Sequence, residues 1–199
     1  MSVETTNFEK FQTGNPVVRR MFDGFFRTVG ETIGPLGADN VLDAGCGEGE
    51  TLERLSGVLP VRQVAIDLNP ESVAYAKERV PGAEISQGDL LDLPFEDGEF
   101  DLVLCLEVLE HLPDPAAGLA ELVRVAGRDI VLSVPHEPWF RLGSFARGNY
   151  LKSWGNHPEH VNHWNPRTFR RFLEAQAEVV EIRTSMPWII ARCRPRRND

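Results

Sequence analysis

From residue 40 onward, short runs of apolar residues alternate with longer stretches in which apolar positions recur every three or four residues. The runs are "NVLDAG" from Asn40, "VRQVAID" (61–67), "AEISQGD" (83–89), "FDLVLCLE" (100–107) and "DIVLSVP" (129–135). Each is short enough for a strand buried on both faces. The stretches between them, "ETLERLSGVL", "PESVAYAKERV" and "PAAGLAELVRVA", predict helices, with Pro70 and Pro115 where a helix starts. This alternation predicts an α/β domain on a mostly parallel, doubly wound sheet with helices on both faces. Further on, "PRTFRRFLEAQ" predicts another helix, and "EVVEIRTS" with "PWIIARC" an antiparallel closing hairpin at the sheet edge, which brings the total to about seven strands. Ahead of the first strand, "NPVVRRMFDGFFRTVGETIG" predicts an amphipathic helix with Val17, Phe22, Phe25, Phe26 and Val29 broadly on one side. The segment "HEPWFRLGSFARGNYLKSWGNHPEHVNHWN" has no clean period, and irregular chain of that length in a compact domain predicts a lid or binding insert. The expected organisation is a single domain over 1–199, with a helical cap over 1–39 and a substrate insert over 136–165.

Composition narrows the partners. At 199 residues and 42% hydrophobic content the chain can bury one full core. A net charge of −9 argues against a broadly basic surface for nucleic acid, although "RCRPRRND" is a local basic patch. Cys46, Cys105 and Cys193 show no CxxC spacing, no leader-like segment follows Met1, and no apolar run approaches the roughly 18 residues of a membrane span. The expectation is a cytoplasmic, reduced protein with no integral membrane segment.

The chemistry gathers at the strand ends. "VLDAGCGEGE" sets Gly45, Gly47 and Gly49 between the first strand and a helix, where a tight turn lets a ligand approach the backbone. Asp43, just ahead of the glycines, would repel a diphosphate but suits a cationic ligand. Asp67 ends the second strand, where a carboxylate can accept from both ribose hydroxyls. Asp89, after the third strand, can accept from an exocyclic amine such as that of adenine, with Leu90 available to pack on the ring. An alternative remains open, in which Asp43 braces its loop and Asp67 caps the helix that begins near Pro70.

With "VLDAGCGEG", "AIDLNP", "GDLLDLPF" and "FDLVLCLEVLEHLPDP" in that order, the region from Val41 to Pro115 resembles the class I S-adenosylmethionine-dependent methyltransferases, including the ubiquinone-pathway O-methyltransferases. The resemblance implies a Rossmann-like fold and S-adenosylmethionine as cofactor. It implies that Asp43, Gly45, Gly47 and Gly49 hold the methionine part and Asp67 the ribose, with Leu68 also among the cofactor-binding residues. Asp89 and Leu90 would hold the adenine, and Leu106 and Glu107 would border the sulfonium. Methyl transfer from a sulfonium chiefly requires alignment and removal of the acceptor's proton. The histidines available for that are His111, His136, His157, His160 and His163, with His111 and His160 the expected catalytic pair.

Glu107, Glu110 and His111 stand at helical spacing, which would let all three point from one face toward the mouth of the site. With "PEHVNHWNPRTF", this pattern looks like the metal-dependent 2′-O-methyltransferases of small RNAs. That likeness implies a divalent ion such as Mg²⁺, Mn²⁺ or Zn²⁺ on Glu107, Glu110, His111 and His160, with His163 as the competing fourth ligand. The leading expectation is O-methylation of a small-molecule acceptor. The alternatives are methylation of RNA or protein and a non-catalytic S-adenosylmethionine-binding module. The identity of the acceptor is not encoded in these motifs.

Overall fold

The computed structural model describes residues 15–137 and 161–196. Its centre is a seven-stranded sheet. Five strands, β1 (Asn40–Ala44), β2 (Arg62–Asp67), β3 (Glu84–Gln87), β4 (Phe100–Leu106) and β5 (Ala126–Pro135), pair in parallel. β6 (Ala177–Ser185) and β7 (Trp188–Pro195) run antiparallel, and the order across the sheet is β3-β2-β1-β4-β5-β7-β6. This is the doubly wound, Rossmann-like arrangement that the alternating pattern predicts. The order reverses between β1 and β4, and the carboxyl edge at such a switch point is where doubly wound sheets generally hold a ligand in a crevice.

The two-residue period of β4 sorts its side chains between two cores. Leu102, Leu104 and Leu106 pack with Phe25, Phe26, Val29 and Ile33 of α1 (Pro16–Ile33). Val103 and Cys105 face the other way, toward Leu119 and Leu122 of α4 (Pro115–Val125) and Phe169 and Leu173 of α5 (Pro166–Glu174). Beyond β1, Leu52 of α2 (Glu50–Arg54) and Val73 and Ala76 of α3 (Pro70–Arg79) close over Ala65 and Ile85. Each large apolar side chain buried in this way contributes about 1.5–3 kcal/mol, so the four from α1 alone fasten that helix to the sheet.

Local signals set most boundaries. Asn69 and Asp114 cap α3 and α4 through their side chains, and Pro70 and Pro115 occupy the first helical positions as expected. Asn165 caps α5 in a reciprocal capping box with Thr168. Some expectations shift. "ETLERLSGVL" is helical only over Glu50–Arg54 and continues as turns, Ser56 and Gly57 being poor helix formers. Val17 is exposed, because the first turn of α1 is not part of the buried face. β5 begins at Ala126, three residues before its apolar run. Gly127 lies so close to Gly98 that a Cβ there would stand 2.8 Å from the Gly98 oxygen. Most of the expected insert, including His157 and His160, and the first part of the expected cap lie outside the described residues.

Candidate functional site

The crevice is floored by the loop after β1. Gly45, Gly47 and Gly49 all have positive φ, which glycine adopts without steric cost. Two of them are also constrained by packing. A Cβ on Gly45 would stand 2.5 Å from Val108 Cγ2, in the loop leaving β4, and one on Gly49 would press on Ala76 of α3 at 3.3 Å. At Gly47 nothing lies within 4 Å, so that glycine faces open space. The Ile66 carbonyl fixes the loop by accepting from the Gly45 and Cys46 amides at 2.8 and 2.9 Å. Behind it, Glu50 takes Arg54 Nε at 2.5 Å and Arg79 Nη1 at 2.8 Å, while Arg79 also donates to the Glu48 carbonyl at 3.1 Å.

Asp43 and Asp67 meet at this loop. Asp67 accepts from the Gly47 amide (Oδ2, 2.8 Å) and from the Asn69 amide (Oδ1, 2.9 Å). The brace is therefore Asp67, and the cap of α3 is Asn69. Asp43 is 1% exposed and its Oδ2 is buried with no hydrogen-bond partner. Burial first, and then the neighbouring Asp67 charge, push the Asp43 carboxyl up to about 7. An acid held in this state accepts a cation readily, since a positive partner repays the desolvation that otherwise keeps the proton on.

The remaining residues expected in the site separate into two groups. Leu68 and Asp89 are exposed at the carboxyl ends of β2 and β3, and Asp89 Oδ1 accepts from the Leu91 amide at 2.9 Å. Leu90 lies in the core against Gly118 of α4, with its neighbour Leu91 more open. Leu106 is buried at the end of β4. Glu107 follows it in the left-handed region at φ 61°, a conformation that costs a residue with a Cβ about 1–2 kcal/mol. Ser133 of β5 holds Glu107 there. Its hydroxyl donates to Glu107 Oε1 at 2.7 Å and accepts from the Glu107 amide at 3.1 Å, and its carbonyl accepts from the same amide at 3.2 Å. Sequence reasoning missed Ser133, although a lone hydroxyl inside the apolar run "DIVLSVP" was the available signal.

Glu110 and His111 close a single 3-10 turn, Leu109–His111, rather than extending a helix from Glu107. Glu110 is 1% exposed, with Oε1 at 4.0 Å from His111 Nε2. Among the described residues no group of three or more His, Cys, Asp or Glu is arranged to hold a metal ion. Glu107, Glu110 and His111 therefore do not assemble as three ligands, and the fourth, His160, lies outside the described residues. The left-handed turn at Glu107 breaks the helical spacing on which the expected metal set depended. The chain returns to this rim after the insert: the Val161 and Asn162 amides donate to the Glu110 carbonyl, and Asn162 Nδ2 donates to the Leu112 carbonyl at 2.7 Å. At the end of β5, His136 Nδ1 is buried without a hydrogen-bond partner, and burial lowers the imidazole's pKa. His163 Nδ1 stands 3.8 Å from Glu137 Oε1.

Residues 42–131 match the family model described as a methyltransferase domain. The chain is 34% identical over 143 residues to the chloroplastic tocopherol O-methyltransferase of Arabidopsis thaliana, a match covering 61% of this chain and 41% of that protein. It is 37% identical over 106 residues to norajmaline N-methyltransferase of Rauvolfia serpentina, covering 49% and 36% respectively. The matches thus span about two-fifths of these relatives' lengths. Among solved structures, magnesium protoporphyrin IX methyltransferase of Synechocystis PCC 6803 shares the fold, with a TM-score of 0.69 at 21% identity over 94% of this chain and 92% of that one.

Proposed function

We propose that this chain, which belongs to the class I S-adenosylmethionine-dependent methyltransferases, transfers a methyl group from S-adenosylmethionine to a small-molecule acceptor, through an acceptor oxygen. The observation that carries this reading is the buried Asp43 carboxylate, its Oδ2 without a partner, beside a glycine loop that leaves open space at Gly47. These residues fit a cationic amino-acid moiety.

S-adenosylmethionine supplies a methyl group already activated on a sulfonium. Asp43 accepts from the ligand's ammonium, and the glycines let it approach the backbone. Asp67 uses its remaining lone pairs for the ribose hydroxyls while still bracing Gly47. Leu68 and Asp89 frame the adenine, and Leu106 and Glu107 border the reacting end. His111, at the rim, takes the acceptor's proton; His136, which burial favours as the neutral imidazole, is the second candidate, and His160 the third. No step is assigned to a metal: among the described residues no three His, Cys, Asp or Glu side chains are grouped to hold one.

A small acceptor is favoured by the net charge of −9 and by relatives named for tocopherol and norajmaline. No described helix is long and apolar enough to cross a membrane, and the three cysteines are free and buried, in keeping with a reducing cytoplasmic setting. Titration calorimetry with S-adenosylmethionine, followed by transfer of labelled methyl to phenols, catechols and amines, tests the reading. Absence of binding sinks it, and saturable binding without transfer to any acceptor favours the non-catalytic alternative.

A further inference from the structure

Three arginines of the basic C-terminal stretch, Arg192, Arg194 and Arg196, lie away from the crevice. A concavity of about 960 Å³ opens at the opposite edge of the sheet, lined by Arg128 and Asp129 at the start of β5, Arg192 and Arg194 of β7, Arg196 and Glu178. Arg128 and the crevice are separated by the length of β5, roughly 20 Å at the usual rise per residue. The concavity is therefore not part of the cofactor site.

Its charges are unevenly matched. Asp129 is buried and shared, with Oδ1 at 2.9 Å from Arg192 Nε and 3.5 Å from Arg194 Nε. Arg128 donates to the neutral Leu36 and Gly37 carbonyls, at 2.7 and 3.3 Å, and comes no closer than 4.0 Å to Asp101 Oδ1. Arg196 donates to the neutral Glu174 carbonyl. Four guanidinium groups thus line the concavity with two carboxylates, in a chain whose net charge is −9. Carbonyl bonds hold Arg128 and Arg196 in place without cancelling their charge, and a guanidinium fork matches phosphate oxygens in pairs.

The geometry points to an accessory site for a small dianion bearing phosphate, a phosphomonoester or diphosphate. The volume suits a small molecule. An extended polyanion would meet the acidic remainder of the surface, whereas a small anion feels only the field within about 8 Å at physiological salt. Titration of the whole chain with inorganic pyrophosphate tests this, in wild type and in Arg128→Gln and Arg196→Gln, with S-adenosylhomocysteine titrated in parallel. Saturable 1:1 binding at physiological salt, weakened about tenfold in each variant while S-adenosylhomocysteine affinity stays unchanged, is the expected result. Arg196 is exposed, so its variant remains informative if Arg128→Gln fails to fold. Equal pyrophosphate affinity in all three proteins, or no saturable binding up to millimolar concentrations, overturns the proposal. Tighter binding of single-stranded RNA than of pyrophosphate overturns it in favour of a nucleic-acid surface.

Discussion

Asp43 couples pH to the fold and, in the proposed site, to the ligand. Folded, it keeps its proton to about pH 7, whereas its ordinary value is 3.8. The group therefore favours the ligand-free fold most below pH 3.8, and that contribution is lost as pH rises through 7. A cationic ligand needs the ionised form, so S-adenosylmethionine affinity should rise between pH 6 and pH 8, with proton release seen by calorimetry in buffers of different ionisation enthalpy. Asp43→Asn should bind more weakly by about 1–3 kcal/mol, yet have the higher unfolding midpoint at pH 8 without ligand. Asp67→Ala removes the Gly47 brace and the like charge beside Asp43, and with them the acceptor proposed for the ribose. Affinity should fall by about 1–3 kcal/mol, and the pH dependence of binding should move to lower pH. An unchanged pH profile in Asp67→Ala would detach the two acids from one another. These acids were legible because each ends an apolar run beside a turn. The left-handed Glu107 was not, since its conformation arises from Ser133 on a neighbouring strand and from no local signal.

At the scale of elements, Gly118 in α4 shows packing overruling propensity. A Cβ there would stand 2.6 Å from Leu112 Cδ1 and 2.7 Å from Leu90 Cδ2. Alanine gains about 1 kcal/mol of helix propensity, but overpacking a tight core costs about 1–3 kcal/mol. The core term should win. Gly118→Ala should lower urea-unfolding stability by about 1 kcal/mol and weaken cofactor binding through the Asp89–Leu90 turn; a stability gain would show that the two leucines yield freely. Strands and capped helices were readable from period, proline and Asn or Asp caps. The start of β5 was not, because Gly127 and Arg128 join the strand through backbone geometry. Nor was the shortness of α2, where Leu55, Val58 and Leu59 continue an apolar spacing into turns.

For the whole molecule, the crevice draws on four strands of one sheet, so a ligand there ties them together. S-adenosylhomocysteine at about 100 times its Kd should add about 2.7 kcal/mol of stability, a rise in unfolding midpoint of roughly 5–10 °C for a chain this size. A scan with and without ligand measures it, and a flat response would place the ligand elsewhere. The sequence pattern carried the fold class and the closing hairpin but not the order β5-β7-β6, since either hairpin strand has enough apolar residues to lie inside. That order has a consequence for how the protein is made. β7 fills the gap between β5 and β6, and it covers the edge of β5 along Ile130–Val134, five residues buried in the finished sheet. Until residues 188–195 leave the ribosome, that apolar edge has no strand beside it and β6 has no sheet to join. The growing chain must carry an open, sticky strand through the synthesis of some fifty further residues.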